Sequence, residues 1–220
     1  MSAAPAPLEP APKVVDDYAF QAATGANEAR MADMRAFFDL LVEWNGRMNL
    51  VGPSALGDFW GRHALDSAQL RLIAPEARTW ADLGAGAGFP GLVLAILAKG
   101  DAGARIHLVE SMAKRCRFLQ AVVDALSLPV TVHNARAESL TLGVDVVAAR
   151  ACAPMVKLLG YAWPYLRSGA TGLFLKGQDV GVELQEAAKS WKFEADLIPS
   201  ISHTEGRIAR LQKVSRVRPV

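Results

Sequence analysis

The sequence predicts an α/β fold: a mostly parallel sheet with helices on both faces, preceded by an N-terminal helical cap and closed by C-terminal antiparallel strands. Three observations carry this expectation. From Pro75 onward, short β-like runs alternate with helical stretches, the rhythm of strand–helix–strand units laid side by side. The first of those runs ends in a glycine-rich loop, Gly84 to Gly91, that leads into an apolar helical stretch. After Lys176 the rhythm is lost, and two β-like runs meet around Thr204-Glu205-Gly206. With 220 residues, 51% hydrophobic and 21% charged, the chain suffices for one full domain with a sizeable core but not for two, and is neither disordered nor fibrous in composition.

Residues 1–13 hold Pro5, Pro7, Pro10 and Pro12 among alanines, the composition of an extended, disordered tail. Residues 14–75 form the helical extension. Within it Met31, Met34, Phe37, Phe38, Leu41, Trp44 and Met48 recur every three or four positions, the apolar stripe of an amphipathic helix over Glu28 to Met48. Pro53-Ser54 restarts the chain, and Phe59, Trp60, Ala64, Ser67, Leu70 and Ile73 mark a second helix; Phe59, Trp60 and Trp44 read as core of this cap rather than as platforms for stacking bases. Residues 76–220 form the core of the fold. Strands are predicted at Thr79 to Leu83, Arg105 to Glu110, Val130 to His133, Val144 to Ala149 and Thr171 to Lys176. Helices are predicted at Leu92 to Ala98, Met112 to Leu126 and Met155 to Leu166, the last bent or ended by Pro164. Phe193 to Ile198 and Arg207 to Val217 are the closing strands.

Several function classes are excluded at this level. The longest apolar run, Phe89 to Ala98, is half of what a bilayer crossing needs and contains Pro90 and Gly91, so no membrane association is expected. The N-terminus lacks the basic flank and apolar stretch of a secretory signal. Cys116 and Cys152 form no C-x-x-C pair and no metal-ligand spacing, which points to a reducing, cytoplasmic setting and to no bound metal. The net charge of +2 is mild, but the end of the chain carries Arg207, Arg210, Lys213, Arg216 and Arg218 with no acid. Two readings of that run stand level: a polyanion partner, or an edge strand guarded by charge.

The chemistry concentrates in Asp82-Leu83-Gly84-Ala85-Gly86-Ala87-Gly88-Phe89-Pro90-Gly91. Glycines belong where a strand turns sharply into a helix and a ligand approaches bare backbone. Read from Gly86 the spacing is the dinucleotide pattern G-x-G-x-x-G; read from Gly84 it is the G-x-G-x-G loop of S-adenosylmethionine enzymes, and the glycines alone do not choose. The neighbours do. Asp82 places a carboxylate where it would draw an ammonium and repel a pyrophosphate, and Pro90 removes an N–H from the phosphate cradle. Glu110, ending the next strand, offers its oxygens to ribose hydroxyls in either case. These residues favour S-adenosylmethionine, with a nicotinamide-dependent oxidoreductase as the rival.

The same loop, together with Leu41-Val42-Glu43-Trp44-Asn45, Asn49-Leu50, Arg62-His63, Leu65-Asp66-Ser67, Lys114-Arg115, Arg117-Phe118-Leu119, Arg150-Ala151 and Leu175-Lys176-Gly177, resembles the RsmG (GidB) family of bacterial 16S rRNA guanine-N7 methyltransferases from about Phe37 to the C-terminus. The resemblance implies a class I methyltransferase (Rossmann-like) core. It implies methyl transfer from S-adenosyl-L-methionine, leaving S-adenosyl-L-homocysteine, to N7 of one guanine (position 527, in the 530-loop) of 16S rRNA. The partner it implies is the small ribosomal subunit or its assembly intermediate, met by a monomer. Its cofactor residues map to Gly84, Phe89, Ala137, Glu138 and Arg150, joining Gly86, Gly88 and Glu110 from the loop and strand end themselves, with Glu138 accepting from the adenine amino group and the backbone around Ala137 donating to the ring. An RNA-binding assembly factor without turnover is the non-enzyme alternative.

Guanine N7 is a bare lone pair with no proton to remove, so no general base is needed and no catalytic residue is assigned. Arg150 either orients cofactor or guanine or forms a salt bridge to a sheet-edge acid. Cys152 is a small packing residue or, in a rival reading, a thiol that adds to a pyrimidine ring. His63 and Asp66, one helical turn apart, clamp the cap or touch RNA, or are a surface pair or a core histidine. Lys114, Arg115 and Arg117 meet phosphates or form a solvated face.

Overall fold

The computed structural model describes residues 16–52 and 56–217. The proline-rich tail of residues 1–13, Pro53-Ser54 and Arg218 lie outside them. The cap opens with α1 (Asp17–Thr24) and α2 (Glu28–Met48), each started by a side chain that accepts from the first turn, Asp16 from the N–H of Ala19 and Asn27 from that of Arg30. Gly25 and Asn49, both in the left-handed conformation, end them. The second predicted helix is broken into three pieces. Phe59–Leu65 (α3) winds as a π-helix, followed by the short α4 (Asp66–Ala68) and α5 (Leu70–Ile73). The wide turn buries Phe59, Ala64 and Leu65 while leaving His63 toward a cleft.

Seven strands form one sheet in the order β3-β2-β1-β4-β5-β7-β6. These are β1 (Thr79–Leu83), β2 (Arg105–Glu110), β3 (Val130–Asn134), β4 (Val146–Arg150), β5 (Thr171–Lys176), β6 (Trp191–Pro199) and β7 (Arg207–Arg216). The first five run parallel; β7 is antiparallel to β5, and β6 to β7. The remaining helices are α6 (Gly91–Leu97), α7 (Ala113–Leu126), α8 (Met155–Leu166), which keeps Pro164 inside it, and α9 (Val180–Ala187). No helix among the described residues is long and apolar enough to cross a membrane.

Every residue of α6 is buried, because the sheet lies on one side of it and the cap on the other. That accounts for the apolar run from Phe89 to Ala98. Phe37 and Phe59 of the cap meet Phe89 of the glycine loop at ring distances of 5.5 and 5.9 Å, so cap and sheet share one continuous core on this face. A second core, built around Leu158, Tyr165 and Phe174, fills the other face. The chain runs from β1 outward to β3 and then returns to β4 on the other side of β1. The crevice at the carboxyl ends of β1 and β4 is the place where open α/β sheets receive ligands.

Candidate active site

The glycine loop is pinned from below. Asp82 is 1% exposed, and its Oδ2 accepts the backbone N–H of Gly91 at 2.9 Å, tying the start of α6 to the end of β1. A Cβ at Gly91 would lie 2.1 Å from Leu108 Cδ2 and 2.8 Å from that same Asp82 oxygen, so only glycine fits. Burial pushes the Asp82 carboxyl up to about 7, opposed by the Gly91 hydrogen bond and by the Arg150 charge. The expectation that Asp82 reaches a ligand ammonium is thereby corrected in one respect: the oxygen that is engaged holds the loop itself. Its Oδ1 is buried and has no partner among the described residues.

Above the loop, Gly84, Glu110, Ala137, Glu138, Cys152 and Tyr161 line one pocket. Glu110 is 4% exposed; Oε2 accepts from Gly86 N at 3.1 Å and Oε1 from Met112 N at 2.8 Å, which fixes the carboxylate at the pocket wall and leaves lone pairs for further donors. Ala137 sits in a single 3-10 turn, Ala137–Ser139, and its carbonyl accepts from the hydroxyl of Tyr165 at 3.1 Å. Gly84 is held at φ +70, a left-handed conformation that strains other residues, and a Cβ there would lie 2.9 Å from Cys152 Sγ. The Cys152 thiol stands above the ordinary cysteine range because it is desolvated and faces the carboxylates of Asp82 and Glu110. That disfavours the thiolate an addition to a pyrimidine would need.

Across the turn Arg150-Ala151-Cys152 opens a larger cleft of about 600 Å³, lined by both signs of charge, with Arg62, His63, Asp66, Arg150, Lys176 and Glu183 among its walls. Ala151, at φ +50, holds the seam between the two pockets in a left-handed conformation. Arg150 Nη1 lies 2.5 Å from His63 Nδ1, and its guanidinium sits 4.9 Å from the Phe89 ring centre. Burial and the Arg150 charge lower His63 to about 4, so the imidazole is neutral and Nδ1 accepts from the guanidinium. Lys176 Nζ donates to the Ala153 carbonyl at 2.8 Å and to Glu183 Oε2 at 2.7 Å, and that same carboxylate oxygen accepts from Met155 N at 2.7 Å. One ion pair thus fixes both ends of the chain that follows the seam.

Of the residues singled out in the sequence, Gly84, Glu110, Ala137 and Glu138 share the first pocket. Arg150 lines the second cleft instead. Gly86, Gly88 and Phe89 line neither: Gly86 donates to Glu110, Gly88 donates to the Ala85 carbonyl, and the Phe89 ring is spent on the cap. His63 and Asp66 are not a pair; the first bonds Arg150, and the second bonds Gln69, Ser200 and Ser202. Arg115 reaches within 3.7 Å of Glu110, whereas Lys114 and Arg117 are exposed. Within the basic C-terminal run Arg210 pairs with Asp196 and Lys213 with Glu194, Arg216 lies over Trp191, and β6 rather than β7 is the edge. Sequence reasoning missed the Asp66–Ser200–Ser202 cluster and the Lys176–Glu183 pair. The first joins residues more than a hundred positions apart, with no local signal.

The family described as rRNA small subunit methyltransferase G matches residues 30–209 of this chain. The chain belongs to that family. A small subunit methyltransferase G from Caulobacter vibrioides is 63% identical over 205 residues, covering 93% of this chain and 95% of the relative. One from Methylorubrum populi is 50% identical over 182 residues, covering 81% and 86%. Among solved structures, a mutant of MtNAS in complex with S-adenosylmethionine aligns with a TM-score of 0.54 at 14% identity, covering 93% of this chain and 85% of that one. A branched-chain polyamine synthase mutein from Thermus thermophilus aligns with a TM-score of 0.53 at 12% identity, covering 84% and 65%. At such identities these two speak for the fold alone.

For a member of the small subunit methyltransferase G family, the first pocket has the donor set that S-adenosylmethionine asks for. Acceptor carboxylates at Glu110 and Glu138 suit ribose hydroxyls and an adenine amino group. The bare backbone at Gly84 admits close approach, and the orphaned Oδ1 of Asp82 lies beneath. Among the described residues no group of three or more His, Cys, Asp or Glu is placed to hold a metal.

Proposed function

We propose that this chain transfers the methyl group of S-adenosylmethionine to N7 of a guanine in the 530-loop of small-subunit rRNA, acting as a cytoplasmic monomer on an assembled or partly assembled subunit. One observation supports this reading above the others. Two pockets meet at Arg150-Ala151-Cys152, one with the carboxylates of Glu110 and Glu138 in its wall, the other carrying the guanidinium of Arg150. When bound, the cofactor supplies an electrophilic methyl carbon on a sulfonium.

The residues of this chain then bind and orient. Glu110 takes ribose hydroxyls on lone pairs its backbone donors leave free, and Glu138 accepts from the adenine amino group. Arg150, braced by His63 and Phe89, presents its remaining N–H groups to the cleft, where guanine O6 beside N7 is the natural acceptor. N7 carries no proton, so alignment and exclusion of water are the whole task. The neutral imidazole of His63 is engaged with Arg150 and acts as a brace.

The test is to map N7-methylguanine in small-subunit rRNA from strains with and without the gene, and to restore it with purified protein and methyl donor. Loss and restoration of one modified guanine is expected, with faster transfer to subunits than to a short naked hairpin. Unchanged rRNA methylation in the deletion strain would instead favour an assembly factor without turnover.

A further inference from the structure

Asp66 sits in α4 on the cap side of the large cleft, and the way it is held is unusual for a structural acid. Its Oδ1 takes three hydrogen bonds, from Ser202 Oγ at 2.7 Å, Gln69 Nε2 at 2.8 Å and Ser200 Oγ at 3.2 Å. Gln69 has no freedom to turn over, because its Oε1 accepts the backbone N–H of Ile201 at 2.9 Å. The carboxylate is therefore locked by one oxygen onto the loop between β6 and β7. Its other oxygen, Oδ2, has no hydrogen-bond partner among the described residues, and Asp66 lines the cleft. Arg150, which lines the same cleft, forms no ion pair with it, being turned to His63 and Phe89.

Two opposite charges that face one cleft without a direct ion pair suit a ligand with an acceptor edge and a donor edge. Guanine has that pattern, with O6 beside N7 and the N1–H and N2–H groups on the adjoining edge. Adenine has the reverse. We infer that Asp66 is the residue that selects guanine, its free oxygen accepting from the N1–H and N2–H edge while Arg150 meets O6. This rests on the proposed guanine-N7 reaction and adds the base-selecting group to it. Ser200, Ser202 and Gln69 are positioning residues that aim the carboxylate.

The decisive variant is Asp66→Asn. The three donors on Oδ1 hold the amide oxygen in that place, so the amide NH2 faces the cleft and an acceptor becomes a donor at unchanged shape. The measurement is single-turnover methyl transfer to reconstituted small subunits carrying guanosine or inosine at the target position, with S-adenosylhomocysteine affinity and thermal midpoint recorded for each protein. The native protein is expected to act about 10-fold more slowly on inosine, which lacks the N2 amino group. Asp66→Asn is expected to lose about 100-fold on guanosine and to treat the two bases alike within about twofold, a loss in the range of one wrong base contact. Its homocysteine-product affinity is expected to stay within about twofold of native.

A native protein that does not distinguish guanosine from inosine overturns the inference without reference to any variant. So does a folded Asp66→Asn that keeps the native preference. If the native protein leaves no N7-methylguanine on guanosine subunits, the proposed reaction itself fails, and the failure is separate.

Discussion

The two pockets that meet at the seam are built on different physical principles. The Glu110 pocket is walled mostly by the βαβ stretch from Gly84 to Glu138, with Cys152 and Tyr161 added, and the Glu110 oxygens there are already tied to the N–H groups of Gly86 and Met112. The Arg150 cleft is walled by charged side chains from the cap, β4, β5 and the β6–β7 loop, and two of them, Arg150 and Asp66, are held by partners distant in sequence. On the proposed function, a substitution in the first is expected to change what binds, and one in the second how well the bound partners are aligned and told apart. The single turn Arg150-Ala151-Cys152 is common to both.

The sharpest way to break this division is Glu110→Ala. It removes acceptors from the pocket and leaves the N–H groups of Gly86 and Met112 without their partner. S-adenosylhomocysteine affinity is expected to fall at least 100-fold, about 2.7 kcal/mol, by calorimetric titration. Lys176→Met acts on the other side. It frees the Ala153 carbonyl and half of the Glu183 contact, and about 10- to 100-fold of the methyl-transfer rate should go with it while product affinity holds. A parallel loss of both would show that the two pockets are not separable.

Asp82 gives a pH signature. Its folded value is raised from 3.8 to about 7, so the folded state retains a proton that the unfolded chain releases. The stability it contributes is fully present below 3.8 and lost as pH rises through about 7. Asp82→Asn is expected to flatten this part of the profile, measured as thermal midpoint against pH; an unaltered slope would place the proton elsewhere. The smallest effect is expected at Cys152→Ala, with transfer retained within about threefold. A folded but inactive Cys152→Ala would bring back covalent chemistry on a pyrimidine.

The glycine loop and the strands either side of it were legible because their signals are local. Thr79–Leu83, Arg105–Glu110 and Thr171–Lys176 stand where turn residues and apolar runs put them, and Glu110 falls at a strand end by the same arithmetic. The helix α9 is harder to read because its stripe, Val180, Leu184 and Ala187, spans only two turns, and packing into the far core fixes it. The π-helical turn at Phe59–Leu65 was read as ordinary helix because sequence spacing does not reveal an extra residue per turn. The glycine-loop spacing does not reveal that the Phe89 ring packs on Phe37 and Phe59 of the cap. Asp66 was noticed for its spacing from His63, yet its partners Ser200 and Ser202 come from the opposite end of the chain, which only the folded sheet brings near.

On this reading, cofactor and base occupy separate, adjoining pockets. Calorimetric titration of S-adenosylhomocysteine into the native protein, Glu110→Ala and Asp66→Asn tests it most directly. One site is expected in the native protein, at least a 100-fold weaker one in Glu110→Ala, and native affinity in Asp66→Asn. Equal loss in both variants, with both folded, would contradict it.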